Sequence, residues 1–187
     1  MFRVLLAAVI FCASALAAHR PEFTFVDTRN VTHTSQEWNG KKAIVVFFTT
    51  TDCPLSNNEV PEMNRTAHEY QSRGVAFYAV QADTTIADAE VLQHTKEFGF
   101  TFPVLFDRHQ FFAKMTGATT IPSAAVLTPD ATLLYLGRID NLVEDFNIRR
   151  QVPTKFDLRE ALDAVLSGKP VPNPRTKAFG CAINNVN

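Results

Sequence analysis

Ala43-Ile44-Val45-Val46-Phe47-Phe48-Thr49-Thr50-Thr51-Asp52-Cys53-Pro54-Leu55-Ser56 decides how this chain folds. Ala43 to Thr49 is a continuous apolar, β-rich run, the pattern of a central strand buried on both faces. Beyond a short threonine turn, Val60, Met63, Ala67 and Tyr70 recur at helical spacing and predict a helix from about Pro54 to Ser72. Cys53 thus stands where a buried strand ends and a helix begins. Free backbone N–H groups and the positive end of the helix dipole favour an anion at such a point. A thiolate is the nucleophilic form of cysteine, so the position points to a reactive, accessible thiol. Pro54 suits the first helical turn, where its missing N–H costs nothing. The hydroxyls of Thr50, Thr51 and Ser56 are candidate donors to the sulfur, whereas Asp52 disfavours a second negative charge. The bland alternative is an inert cysteine packed beneath the sheet.

Working outward, Glu22 to Val26 alternates like a short strand, and Asn30 to Asn39 is polar and turn-like. Gly74 ends the first helix, and Val75 to Val80 reads as a second buried strand. Ala87 to Phe98 predicts a helix, Phe102 to Phe106 a short strand and His109 to Met115 a short helix. Ile121-Pro122 then introduces Ser123 to Leu127, and Thr128-Pro129-Asp130 turns into Thr132 to Gly137, an antiparallel hairpin. Residues 138–153 have no clear period. Thr154 is the expected cap of a last helix, with Asp157 as its capping-box partner and Leu158, Leu162, Val165 and Leu166 as its stripe. The order describes an α/β domain with a mixed sheet flanked by helices.

Three divisions follow: a signal peptide over residues 1–18, a domain over 19–168, and a proline-rich tail over 169–187. Arg3, the apolar run from Val4 to Ala13 and the small-x-small pattern Ala15-Leu16-Ala17 are the layout of an export signal. Its removal takes Cys12 with it and leaves Cys53 and Cys181 in a compartment where disulfides persist. The sequence leaves open whether the exported protein is soluble or retained at the membrane. Of the 187 residues 46% are apolar and 20% charged, an ordinary globular balance, and 16 phenylalanines can fill a sizeable core. A net charge of −1 offers no electrostatic footprint for nucleic acid.

Phe47 to Ser56, with Pro61 eight residues beyond Cys53, resembles the active-site strand and helix of the redoxins. This group includes the alkyl hydroperoxide reductase/thiol-specific antioxidant proteins and periplasmic thioredoxin-like proteins. Thr120-Ile121-Pro122-Ser123 resembles the family's cis-proline loop, and Gly137-Arg138-Ile139-Asp140 the end of its hairpin. The resemblance spans roughly residues 22–167. It implies a thioredoxin-like fold carrying an extra helix in the core, with no cofactor. It also implies thiol chemistry at Cys53, and substrate backbone held by Pro54, Ile121 and Pro122. The partners it implies are a protein disulfide or a small peroxide, together with an external thiol reductant.

The sequence departs from the family at two points. Ser56 stands where the second thiol of the Cys-x-x-Cys motif belongs, so the usual local disulfide cannot form. Thr50 fits the peroxidase pattern, but Val46 occupies the place of its proline and Arg138 is a weak equivalent of its arginine. Disulfide exchange is therefore favoured slightly over peroxide reduction. The Gly180-Cys181 segment is similar to the ends of bacterial redoxins with a Cys-Pro-x-Ser site, which makes Cys181 a candidate resolving thiol. A free tail thiol and an intermolecular bridge remain alternatives.

The five histidines have no metal-ligand spacing, and Asn57 stands where a copper-carrying Cys-x-x-x-Cys pair would place its second cysteine. Glu59, Glu62 and Glu69 read as a solvated helix face. A non-catalytic docking module and a metal carrier are the competing functional readings.

Overall fold

The computed structural model describes residues 21–145 and 148–184. The expected export signal, including Cys12, lies outside the described residues. The chain opens with β1 (Thr24–Val26) and β2 (Thr32–Thr34), an antiparallel pair followed by a 3-10 turn over Ser35–Trp38. The polar stretch from Asn30 thus contains a strand, and Trp38 near its end is fully buried. Phe23 anchors this entry, with its ring 5.1 Å from Trp38 and 5.3 Å from Phe112 between centroids.

β3 (Ala43–Thr49) leads into α1 (Pro54–Tyr70), which continues through Pro61 and closes in a 3-10 turn at Gln71–Arg73. β4 (Val75–Gln81) then pairs parallel to β3 over seven residues, from Ala43 opposite Val75 to Thr49 opposite Gln81. α2 (Asp88–Glu97) is the extra helix, and β5 (Val104–Leu105) returns parallel to β4. This strand is shorter than expected because Pro103 has no N–H to donate, although its carbonyl still accepts from Ala79 at 2.8 Å.

α3 (Phe111–Thr116), β6 (Thr120–Ile121), β7 (Ser123–Leu127) and β8 (Leu133–Gly137) follow. β7 runs antiparallel to both β3 and β8, giving the sheet order β5-β4-β3-β7-β8. This is the mixed sheet flanked by helices that the residue pattern predicts. The aperiodic stretch holds a small hairpin, β9 (Val143–Asp145) with β10 (Ile148–Arg149). α4 (Asp157–Leu166) precedes the tail, which carries β11 (Cys181–Ala182) near its described end.

The cap of α4 differs from expectation. Phe156, not Thr154, occupies the N-cap, and no side chain closes it. Asp157 is drawn instead to Arg138 at 2.7 Å and Lys155 at 3.3 Å. Asn141, buried in the preceding loop, does the ordering: its Oδ1 accepts the N–H groups of Thr154 and Lys155 at 2.8 and 2.9 Å.

Alternation along β3 splits the core in two. Ala43, Val45 and Phe47 face α1 and α4, meeting Met63, Ala67, Tyr70, Leu158 and Leu162. Ile44, Val46 and Phe48 face the opposite layer, with Trp38, Phe112, Ile121 and Cys53. Ile183 of the tail belongs to that second layer.

Candidate active site

Cys53 is the N-cap of α1, with φ −96° and ψ 107°, and Pro54 opens the first helical turn. The strand-to-helix junction read from the sequence is therefore in place. Opposite it lies the Ile121–Pro122 bond, which is cis. The Cys53 thiol points at the Ile121 carbonyl, Sγ to O 3.8 Å. One part of the expectation fails. Cys53 is fully buried rather than accessible, because β6 and the returning tail close over it.

The tail is docked, not loose. It first crosses β8, where Leu136 N–H donates to Pro174 at 3.0 Å and Thr176 N–H to Leu136 at 3.2 Å. Gly137 permits this approach, since a Cβ there would meet the Thr176 backbone oxygen at 2.6 Å. The Thr176 hydroxyl fixes the crossing through the Tyr135 hydroxyl at 2.6 Å and the Arg138 N–H at 3.1 Å. Farther on, β11 pairs antiparallel with β6, setting Cys181 opposite Ile121 and Ala182 opposite Thr120. A Cβ on Gly180 would lie 2.8 Å from the Ile121 carbonyl carbon and 3.0 Å from Pro122 Cδ, so only glycine fits this crossing.

This pairing brings the two cysteines together as free thiols. Although Cys181 as a residue is exposed, its thiol is raised well above the ordinary value. Partial burial is the main cause, followed by a hydrogen bond with Cys53 and the charges of Cys53 and Asp52.

Two of the predicted donors, Thr50 and Thr51, are engaged elsewhere. The Thr50 hydroxyl donates to Asp52 Oδ1 at 2.8 Å, and that of Thr51 to Glu90 Oε1 at 2.8 Å. A carboxylate is a stronger acceptor than a thiol and captures both. Ser56 Oγ is buried and has no hydrogen-bond partner among the described residues, the sulfur of Cys53 included.

The glutamates of α1 correct a second expectation. Glu59 and Glu62 are buried, and Glu69 alone keeps to solvent. Glu62 is held by Arg65 at 2.8 Å and by Arg159 of α4 at 2.6 Å. Arg159 also pairs with Glu69. Glu59 lines a narrow cleft with Leu55, Pro122, Asp140 and Phe179, alongside the cis-proline loop. Its carboxyl is pushed up to about 8 by burial, with Asp140 and Glu62 adding like charge. Arg138 reaches the same cleft but is committed to Asp157.

His94 and Asn57 form a support that sequence reasoning missed. The His94 Nε2 lies 2.7 Å from Asn57 Oδ1, while Asn57 Nδ2 donates to the Thr51 carbonyl at 3.1 Å. The Asn57 N–H reaches the Cys53 carbonyl at 3.0 Å. α2 thereby braces the turn that carries the thiol. Burial holds the His94 imidazole below its usual value, against the opposing charges of Glu97 and Glu90. No local pattern announces a partner 37 positions away.

Residues 17–150 match the Redoxin family, well over half of the sequence. The chain belongs to the Redoxin family. Among the relatives of this redoxin is a thiol-disulfide oxidoreductase ResA from Geobacillus thermodenitrificans. It is 24% identical over 153 residues, covering 82% of this chain and 79% of the relative. A hypothetical protein from Sinorhizobium meliloti 1021 superposes with a TM-score of 0.74 at 27% identity, over 87% of this chain and 90% of the other. An uncharacterized conserved protein from Geobacillus kaustophilus gives the same TM-score at 26% identity, over 87% and 88%. The redoxin is a thiol-based oxidoreductase of the thioredoxin superfamily, and β11 lies beyond the matched segment.

Proposed function

We propose that this redoxin is a thiol-disulfide oxidoreductase in which Cys53 is the attacking thiol and Cys181 the resolving one. The observation that carries the reading is the register of β11 on β6, which sets Cys181 opposite Ile121, the residue whose carbonyl receives the Cys53 thiol. In the forward direction the Cys53 thiolate attacks one sulfur of a partner disulfide and expels the other as a thiolate. Cys181 then gives up its proton and attacks Cys53 Sγ, releasing the partner fully reduced and leaving a Cys53–Cys181 disulfide. Two electrons have passed to the partner, and an external thiol restores the dithiol. Cys181 thereby replaces the local second cysteine that Ser56 cannot supply. The raised Cys181 thiol supports this division, because a thiol held protonated is a poor first nucleophile.

The carbonyl of Ile121, held in place by cis-Pro122, and Pro54 at the head of α1 frame the attacked sulfur. Peroxide reduction is the weaker branch. Thr50 spends its hydroxyl on Asp52, Arg138 is tied to Asp157, and Val46 replaces the expected proline. We assign the site of action to an oxidising compartment outside the cytoplasm, reached through the signal peptide read at residues 1–18.

Insulin reduction and peroxide consumption, measured side by side for the parent and Cys53→Ser, test the proposal. The parent is expected to reduce insulin with a thiol donor present, and Cys53→Ser to lose that activity completely. Equal rates for the two proteins would exclude the enzymatic reading.

A further inference from the structure

Cys53 is fully buried, so no partner disulfide reaches it until its cover moves. The cover is slight: β11 has two residues in register with β6, one flanking bond from Ile183 N–H to Thr119 at 2.9 Å, and one from Gln110 Nε2 to Asn184 at 2.6 Å. Such short, partly exposed pairings open at low free-energy cost. Among the described residues β6 pairs with no other strand, so lifting β11 frees its backbone donors and acceptors right beside the sulfur. The chain itself demonstrates what this edge accepts, an extended segment with a cysteine in its middle.

Resting on the disulfide-exchange reading above, we propose that β11 is a placeholder for a strand of the partner. A partner's extended cysteinyl segment enters by exchanging with Gly180–Ile183. It is selected for glycine just before its cysteine and an aliphatic residue two positions after it. The glycine requirement comes from the crossing over Ile121 and Pro122, where any side chain collides. The aliphatic requirement comes from Ile183, which fills the layer shared with Phe112 and Ile121. Backbone pairing to β6 supplies affinity, as in other strand-addition complexes, while these two positions supply choice.

The exchange balances. The Cys53 thiolate forms a bond to the partner's cysteine sulfur, and the partner's second sulfur departs with the bonding pair and takes a proton. When β11 returns, Cys181 attacks Cys53 Sγ and the partner's first sulfur leaves as a thiol. Strand return is thus the same event as product release.

The test uses the full mature chain carrying Cys181→Ser, so that the mixed disulfide is not resolved. Two peptides are compared, each with its cysteine disulfide-linked to thionitrobenzoate as a coloured leaving group. One copies residues 178–183, and the other has valine in place of the glycine before cysteine. The glycine peptide is expected to form the mixed disulfide with Cys53 at least about tenfold faster. Adding Gly180→Ala, which lifts β11, is expected to speed the glycine peptide about threefold further.

Rates for the two peptides within twofold of one another overturn the placeholder proposal. The small symmetrical dithiobis(nitrobenzoate) disulfide separates the two levels of failure. If it colours with Cys53 while the peptides are not distinguished, strand docking alone is wrong. If it does not react either, the disulfide-exchange reading fails and the placeholder with it.

Discussion

The head of α1 and the tail strand each deliver a cysteine to the same spot, by opposite physics. Cys53 is fixed by its immediate neighbours: β3 before it, Pro54 after it, and the Asn57 contacts one helical turn on. Cys181 is fixed only by distant elements, through Gly137 against Thr176 and Gly180 against Ile121. A locally fixed thiol depends on secondary structure that survives most surface substitutions. A remotely fixed one depends on a few close approaches, each of which a single methyl group can spoil. Deleting either sulfur should therefore be more drastic than loosening its support, and the tail's supports should be the more fragile set.

Removing the remote thiol has the largest expected effect. Cys181→Ser should leave the first attack intact yet lower steady-state turnover about a hundredfold with a protein disulfide. Mass spectrometry of the stalled reaction should find partner covalently attached at Cys53. The opposite outcome, unchanged turnover with no trapped adduct, would mean that the resolving thiol comes from elsewhere.

Glu59 probes the local arm. Its carboxyl titrates near 8 in the folded protein against an ordinary value of 4.5, so the folded state holds its proton longer than the unfolded chain does. Its contribution to stability is thus fully present below pH 4.5 and is lost as pH rises through about 8. Glu59→Gln should remove that decline, gaining up to about 5 kcal/mol relative to the parent by pH 9. Parallel denaturant curves for the two proteins from pH 5 to 9 would dismiss the buried-acid assignment.

Gly137→Ala sharpens the comparison from the tail side, at the β8 crossing rather than at the β11–β6 pairing. The added Cβ pushes on the Thr176 backbone, and oxidative closure between Cys53 and Cys181 should slow about tenfold. Quenching with a thiol-alkylating reagent at timed intervals measures the closure, and an unchanged alkylation rate of Cys53 in the folded, reduced Cys181→Ser background checks that the local arm is untouched.

The smallest effect tests how the end of the domain is held. Asn141→Ala should cost about 1 kcal/mol, because two backbone N–H groups lose their acceptor. Thr154→Ala should cost less than Asn141→Ala in the same denaturant titration, whereas a true N-cap threonine would reverse that order.

What was legible in the sequence follows the same division. β3, α1, β4 and the β7–β8 hairpin stand nearly where apolar period and turn residues put them, since their signals lie within a few residues. The strand Thr32–Thr34 carries no legible signal, because three residues are too few to establish alternation. Glu62 reads as solvated from the sequence because its partner, Arg159, lies 97 positions away on α4. Thr50 and Thr51 looked like thiol donors until the folded chain supplied carboxylates to compete for them. Cys181 could be connected with Cys53 by family resemblance, but the burial it imposes depends on a strand pairing that no local pattern encodes.

Docking of the tail also bears on which way electrons run. Holding two thiols side by side raises their effective concentration, and whatever favours their meeting stabilises the bridge over the open dithiol. Closing that bridge would turn about 130 residues into a covalent ring, an entropic restraint on the unfolded chain on the order of 4–5 kcal/mol. On the disulfide-exchange proposal, the better residues 180–184 fit against β6, the more readily the dithiol gives its electrons away. On that reading a well-seated β11 makes a stronger reductant, and the melting temperature of the sealed ring becomes a gauge of redox state.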